Sequence, residues 1–225
     1  MRRPALARLR EKKACRVLKN LQTCATLPKG RKLPYGQNNG KKPLSPTNDF
    51  AFHKIFAEHK NILMSFLQAV LDLPAEEYED IEIVDPALQP DYIDDKLCIL
   101  DVKIYTTKKK IIDVEIQKQH QASIWKRLLY YSAKLIREQV KKGNNYPNIN
   151  KVITIYITEH ILIKENDVYH NHFQLYDKNT KIDYQDSISI HTLELPKIHK
   201  PDGTLLYNWM QFINAKEKEQ FMEIA

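Results

Sequence analysis

The chain has 225 residues, with 35 Lys+Arg against 28 Asp+Glu, a formal net charge of +7 and three cysteines. At 43% hydrophobic and 28% charged residues it is apolar enough to bury a core, which excludes a wholly disordered chain. Its longest apolar run, 62–73, is broken by Ser65, Gln68 and Asp72 and falls short of the ~20 residues a bilayer span needs. Cys15, Cys24 and Cys98 form no C-x-x-C pair, so neither a disulfide framework nor a zinc site is expected, and a reducing, cytoplasmic setting is.

The charge is unevenly placed. Residues 1–43 hold 13 Lys+Arg and one acid, Glu11, a net of +12, so the remainder carries −5. The segment holds three of the five glycines and shows little apolar periodicity after Leu27; 1–43 reads as a basic, disordered arm and 44–225 as the folded domain.

Ser45-Pro46-Thr47-Asn48-Asp49 is a turn-and-cap cluster ahead of Phe50, Phe52, Ile55, Phe56, Leu63, Phe66, Leu67 and Val70 at helical spacing. The pattern predicts a helix, interrupted near 59–61, that Leu73-Pro74 stops. A short strand over 81–84 precedes an acidic loop, 89–96. Residues 97–105 and 110–117 read as two strands joined by 106–109, and 121–142 as a long amphipathic helix closed by Gly143. Further strands are predicted over 152–158, 170–176 and 187–195, and a terminal helix over 205–223. The order is α-β-β-β-α-β with a C-terminal β/α extension, an α/β pattern.

Alternation sorts the strand pair into two faces. Cys98, Leu100, Val102 and Ile104, with Ile112, Val114 and Ile116, form the apolar face. The other face carries Asp101, Lys103 and Tyr105 on one strand and Asp113, Glu115 and Gln117 on the other. A turn centred near Lys108 places Asp101 across from Glu115 and Lys103 across from Asp113. Opposed carboxylates ~5 Å apart repel, and two readings satisfy them. They ligate Mg²⁺, a hard ion that takes carboxylates, water and phosphate oxygens, or they form a solvated face paired with Lys103 and neighbouring lysines.

The following helix sets Arg127, Tyr130, Tyr131, Lys134, Arg137 and Lys141 on one face and Trp125, Leu128, Leu129, Ile136 and Val140 on another. Residues 103–142 hold 11 Lys+Arg and three acids, a local +8 in an otherwise acidic domain. Carboxylates able to hold a metal beside such a helix suit phosphodiester hydrolysis: the metal acidifies a water, and Lys and Arg hold flanking phosphates. A solvated basic face is the alternative. His170-x-His172 could offer two imidazoles to a metal, but no third ligand stands near in sequence, and surface histidines are the simpler reading.

Several stretches carry a resemblance: Asn48-Asp49-Phe50-Ala51-Phe52-His53-Lys54-Ile55-Phe56, Leu100-Asp101-Val102-Lys103, Val114-Glu115-Ile116-Gln117, Tyr130-Tyr131-Ser132-Ala133-Lys134, Gly143-Asn144-Asn145-Tyr146 and Leu193-Glu194-Leu195-Pro196-Lys197. Together, over about 45–212, the chain resembles the PD-(D/E)xK nuclease family transposases, the recombination-promoting nucleases of the Rpn type. The resemblance implies a restriction-endonuclease-like αβββαβ core, a mixed central sheet flanked by helices, and Mg²⁺-dependent DNA cleavage linked to mobile elements or recombination. It assigns metal binding to Asp101 and Glu115, with Asp49 as an acid that completes the site. Gln117 stands where the wider superfamily has lysine; it can orient a water but cannot supply charge, and Lys103 on the same face is the expected substitute. Pro90-Asp91, a literal PD pair, falls in the loop and is set aside.

The sequence thus points to an endodeoxyribonuclease with Asp101, Glu115, Gln117 and Lys103 as catalytic residues. Mg²⁺ is the expected cofactor and Mn²⁺ its substitute. Arg127, Tyr131, Lys134 and Arg137 are the expected nucleic-acid contacts, DNA the partner, and a homodimer a candidate assembly. The alternative is a catalytically inactive, DNA-binding remnant of such a nuclease.

Overall fold

The computed structural model describes residues 45–71, 73–88, 98–140, 146–184, 187–217 and 220. The arm expected over 1–43, the whole acidic loop 89–96 with its Pro90-Asp91 pair, and Gly143 lie outside them. The described residues form four helices, α1 (Asp49–Ala57), α2 (Lys60–Val70), α3 (Ile124–Glu138) and α4 (Leu205–Asn214). Eight strands accompany them: β1 (Glu82–Val84), β2 (Ala87–Leu88), β3 (Cys98–Ile99), β4 (Val102–Tyr105), β5 (Ile111–Gln117), β6 (Val152–Thr158), β7 (His170–Gln174) and β8 (Ile188–Glu194). They belong to two compact units, one within Met1–Asp72 and Lys200–Ala225, the other Leu73–His199.

The first unit is helical. Asn48 caps α1, its side chain accepting from the Phe50 and Ala51 N–H groups at 3.1 and 3.3 Å, which satisfies two donors that the first turn leaves open. The expected interruption falls at Glu58-His59, between α1 and α2. Thr204 caps α4, accepting from the Tyr207 N–H at 3.0 Å. Phe52, Phe56, Phe66 and Trp209 form the buried centre, with ring centroids 4.6 to 6.0 Å apart.

The second unit is a six-stranded mixed sheet in the order β1-β4-β5-β6-β8-β7. β5, β6 and β8 run parallel, and the other neighbours pair antiparallel. α3 forms the crossover between β5 and β6, as a parallel pair requires. Its inward stripe, Ile124, Leu128, Tyr131 and Leu135, packs in two clusters with Leu88, Leu100, Ile111 and Val152 and with Tyr156. This stripe is rotated from the expected one: Trp125 and Leu129 are exposed. β5 is buried at every position from Ile111 to Ile116, the condition of a central strand covered on both faces.

The strand expected over 97–105 is divided. Asp101 is a bend, and β3 pairs with β2 while β4 pairs with β5 and β1. The α-β-β-β-α-β order and the extension are as the sequence implies; α4 stops at Asn214, where Ala215 turns extended.

Candidate active site

The bend at Asp101 builds the site. The antiparallel register joins Val102 to Val114 and Lys103 to Asp113, so the next rung would set Asp101 against Glu115. There side chains take over from the ladder. The Asp101 N–H donates to Glu115 Oε1 at 3.1 Å, and the Ile116 N–H donates to Asp101 Oδ2 at 2.7 Å. The two carboxylates expected to face each other are thereby tied to one corner of the sheet.

The acid face is covered rather than solvated. Arg127 of α3 brings Nη2 to 3.4 Å from Glu115 Oε2 and Nη1 to 3.4 Å from Gln117 Oε1. The same Nη1 donates to Gln121 Oε1 at 2.9 Å, and the guanidinium lies 5.0 Å from the centre of the Tyr131 ring. Farther along, Lys103 Nζ meets Glu138 Oε2 at 2.8 Å, and the Ser132 and Thr154 hydroxyls are 3.1 Å apart.

Between these anchors Asp113 is fully buried, and neither of its oxygens has a hydrogen-bond partner among the described residues. Burial, with the nearby Glu115 and Asp101 carboxylates, pushes its pKa well above the usual carboxylate range. Burial and Asp101 push Glu115 up to about 8. Tyr156, opposite Glu115 on β6, is driven to about 12 by burial, and its hydroxyl has no partner among the described residues. The corner is short of positive charge, which a divalent cation would correct.

That deficit fits a metal. Among the described residues no three His, Cys, Asp or Glu side chains form a metal-binding group. Mg²⁺ does not need three: it is commonly held by one or two carboxylates with waters and phosphate oxygens, and Asp101 and Glu115 supply that number.

Asp101, Glu115 and Gln117, expected on one face, are brought together, and Arg127, expected as a contact to flanking phosphates, joins them. Lys103 shares their sheet face, but its side chain is 8% exposed and its ammonium is bound to Glu138, so it balances that acid rather than meeting a phosphate. Tyr131 and Lys134 are buried and Arg137 is exposed; of the four expected nucleic-acid contacts, burial withdraws Tyr131 and Lys134 from a phosphate surface. Asp49 lies exposed in the first turn of α1, in the helical unit. The residues not singled out from sequence are Asp113 and Gln121. Alternation places Asp113 on the acid face; Gln121 is the first residue of the helix expected over 121–142, but α3 begins at Ile124 and leaves it in the preceding loop.

At the carboxyl ends of β5, β6 and β8 the neighbouring loops are fastened. His160 Nδ1 lies 3.2 Å from the Lys118 carbonyl. Glu194 accepts from the Leu162 and Ile163 N–H groups at 2.8 and 3.2 Å and pairs with Lys197 at 3.1 Å. The Glu194-Leu195-Pro196-Lys197 stretch seen in the sequence therefore holds loop 159–163.

No curated protein matches the chain. The family model described as PD-(D/E)XK nuclease family transposase matches residues 46–225, well over half of the length. The six-stranded mixed sheet and four helices are restriction-endonuclease-like, and nucleases of this kind usually use divalent metals. With its acids joined at the β3–β4 bend and its fold in that class, the chain belongs to the PD-(D/E)XK nuclease family transposases.

Proposed function

We propose that the protein is a Mg²⁺-dependent DNA endonuclease that hydrolyses phosphodiester bonds in mobile-element or recombination processes, acting in the cytoplasm. The observation that carries this reading is the pair of bonds by which Asp101 donates to the Glu115 carboxylate and accepts from the Ile116 N–H, which holds two carboxylates at one corner where Arg127 stands against the three acids Asp101, Asp113 and Glu115. Asp101 and Glu115 would hold the ion, whose chemistry there is to acidify a water and offset charge on the phosphate. The Gln117 amide beside them would orient a water. Exposed Arg137, with the neighbouring exposed Lys126 and Tyr130 of α3, offers a surface to flanking phosphates. Mn²⁺ is the alternative ion. A homodimer is the assembly that would let one site per chain cut both strands.

Purified protein incubated with supercoiled plasmid and Mg²⁺ is expected to nick it. The Asp101→Ala/Glu115→Ala double variant is expected to lose at least about a hundredfold of that rate. Nicking by the double variant at the wild-type rate would refute the assignment. Salt-dependent retention of DNA without cleavage would favour an inactive DNA-binding remnant, the reading that Gln117 in place of lysine supports.

A further inference from the structure

The E-x-Q signature leaves the site without the cation that a lysine at position 117 would bring, and Lys103 does not replace it, being paired with Glu138 at 2.8 Å. We infer that Arg127 supplies this charge from α3, and that Gln117 is the residue that admits it. The inference rests on the nuclease reading above.

One guanidinium reaches both signature residues: Nη2 stands 3.4 Å from Glu115 and Nη1 3.4 Å from Gln117. These are charge contacts rather than tight hydrogen bonds, for which ~2.9 Å is usual. What fixes the group is elsewhere, in the 2.9 Å bond to Gln121 and the face of Tyr131. Held by neighbours that are not ligands, the guanidinium keeps donors to spare among its five N–H groups. Its side chain is 27% exposed against 8% for Lys103, so those donors can reach a phosphate. A lysine at 117 would bring its ammonium against the guanidinium, and like charges at such a distance repel. Gln117 instead presents a carbonyl oxygen. Positions 117 and 127 thus form one unit, a neutral acceptor on the strand and a cation on the helix, in place of a single strand lysine. Gln121 is its positioning residue.

A charge-relocation cycle tests this with four proteins: wild type, Gln117→Lys, Arg127→Gln and the double variant. In metal-free thermal unfolding, Gln117→Lys alone is expected to lower Tm by about 3 °C, and Arg127→Gln in the same chain to return at least half of that loss. Additive losses would overturn the pairing. In plasmid nicking at saturating DNA, each single variant is expected to lose about a hundredfold in kcat, and the double variant to recover to within about tenfold of wild type. An Arg127→Gln protein with normal kcat and raised KM would overturn the inference and make Arg127 a flanking-phosphate contact. Should wild type fail to nick, the nuclease reading falls, and the unfolding cycle alone decides whether 117 and 127 act as a unit.

Discussion

Asp113 is buried with no hydrogen bond to either oxygen among the described residues and with two carboxylates nearby. Such a position favours the neutral form of an acid, and holding it charged costs stability. Asp113 and Glu115 both have pKa values raised in the fold, so the folded state binds more protons than the unfolded one. Their stabilising contribution is complete below the ordinary carboxylate pKa and is lost as pH rises, for Glu115 through about 8. Metal-free protein should therefore melt lower at pH 8.5 than at pH 5.5 through these groups. Asp113→Asn should flatten that decline and gain about 1 kcal/mol at the upper pH, as read from denaturant unfolding in chelator. The face that these acids share is legible in the sequence because strand alternation is local. Their burial is not, since it depends on which side of α3 turns inward. That helix carries apolar residues on two stripes, Ile124, Leu128 and Leu135 as well as Trp125, Leu129 and Ile136, and only long-range packing chooses between them.

The hairpin of β4 and β5 is held in register from outside itself. Glu77, whose side chain is 2% exposed, accepts from the Thr106 hydroxyl at 3.0 Å and from Lys110 Nζ at 2.6 Å, and its carbonyl accepts from the Thr107 N–H at 3.2 Å. Because Asp101 and Glu115 meet only in this register, the clasp bears on the site from the far end of the hairpin. Glu77→Ala is expected to destabilise the protein by about 3 kcal/mol and Glu77→Gln, which keeps an acceptor for Thr106, by roughly half as much, both from urea unfolding. At the other edge, His170 Nε2 lies 3.0 Å from His191 Nδ1, and Ser189 Oγ is 2.9 Å from His191 Nε2 and 2.7 Å from His172 Nε2. The His170-x-His172 pair is thus part of a hydrogen-bonded chain between β7 and β8. Burial, with His172, His170 and Lys151 nearby, lowers His191 to about 3. The sign here is opposite to that of the acids: the contribution is present above the ordinary histidine pKa and is lost as pH falls from about 6.5 toward 3. Amide exchange in β7 should quicken over that descent, and His191→Asn should remove the effect. The division of the strand at Asp101, which no alternation foretells, arises because Cys98 and Ile99 find β2 as a separate partner.

At the scale of the whole molecule the charge divides into a basic 1–43 and an acidic remainder, +12 and −5. The family match begins at residue 46, so the nuclease fold and its acids belong to the acidic part. Protein lacking 1–43 should nick plasmid at moderate salt within about threefold of the full chain, while its DNA retention falls less steeply with salt concentration. A deletion that abolished cleavage at every salt concentration would place part of the catalytic machinery in the basic segment. Among the described residues no helix is long and apolar enough to cross a membrane. The succession of helices and strands is legible from periodicity, but the separation into a helical unit and a sheet unit is not. That separation joins 45–71 with 200–217 across the whole intervening sheet, a pairing of distant segments that no window of sequence contains.

The 2.7 Å bond from the Ile116 N–H to the Asp101 carboxylate has a consequence for inheritance. An acid that also closes a rung of the sheet is retained by selection for folding even where selection for cutting has ceased, so a gene copy could fall silent and still spell out its signature. Asp101→Ala removes charge and rung together, whereas Asp101→Asn leaves an oxygen for Ile116 and takes away only the charge. The asparagine variant is therefore the one in which a lost activity can be read as lost chemistry rather than a lost fold.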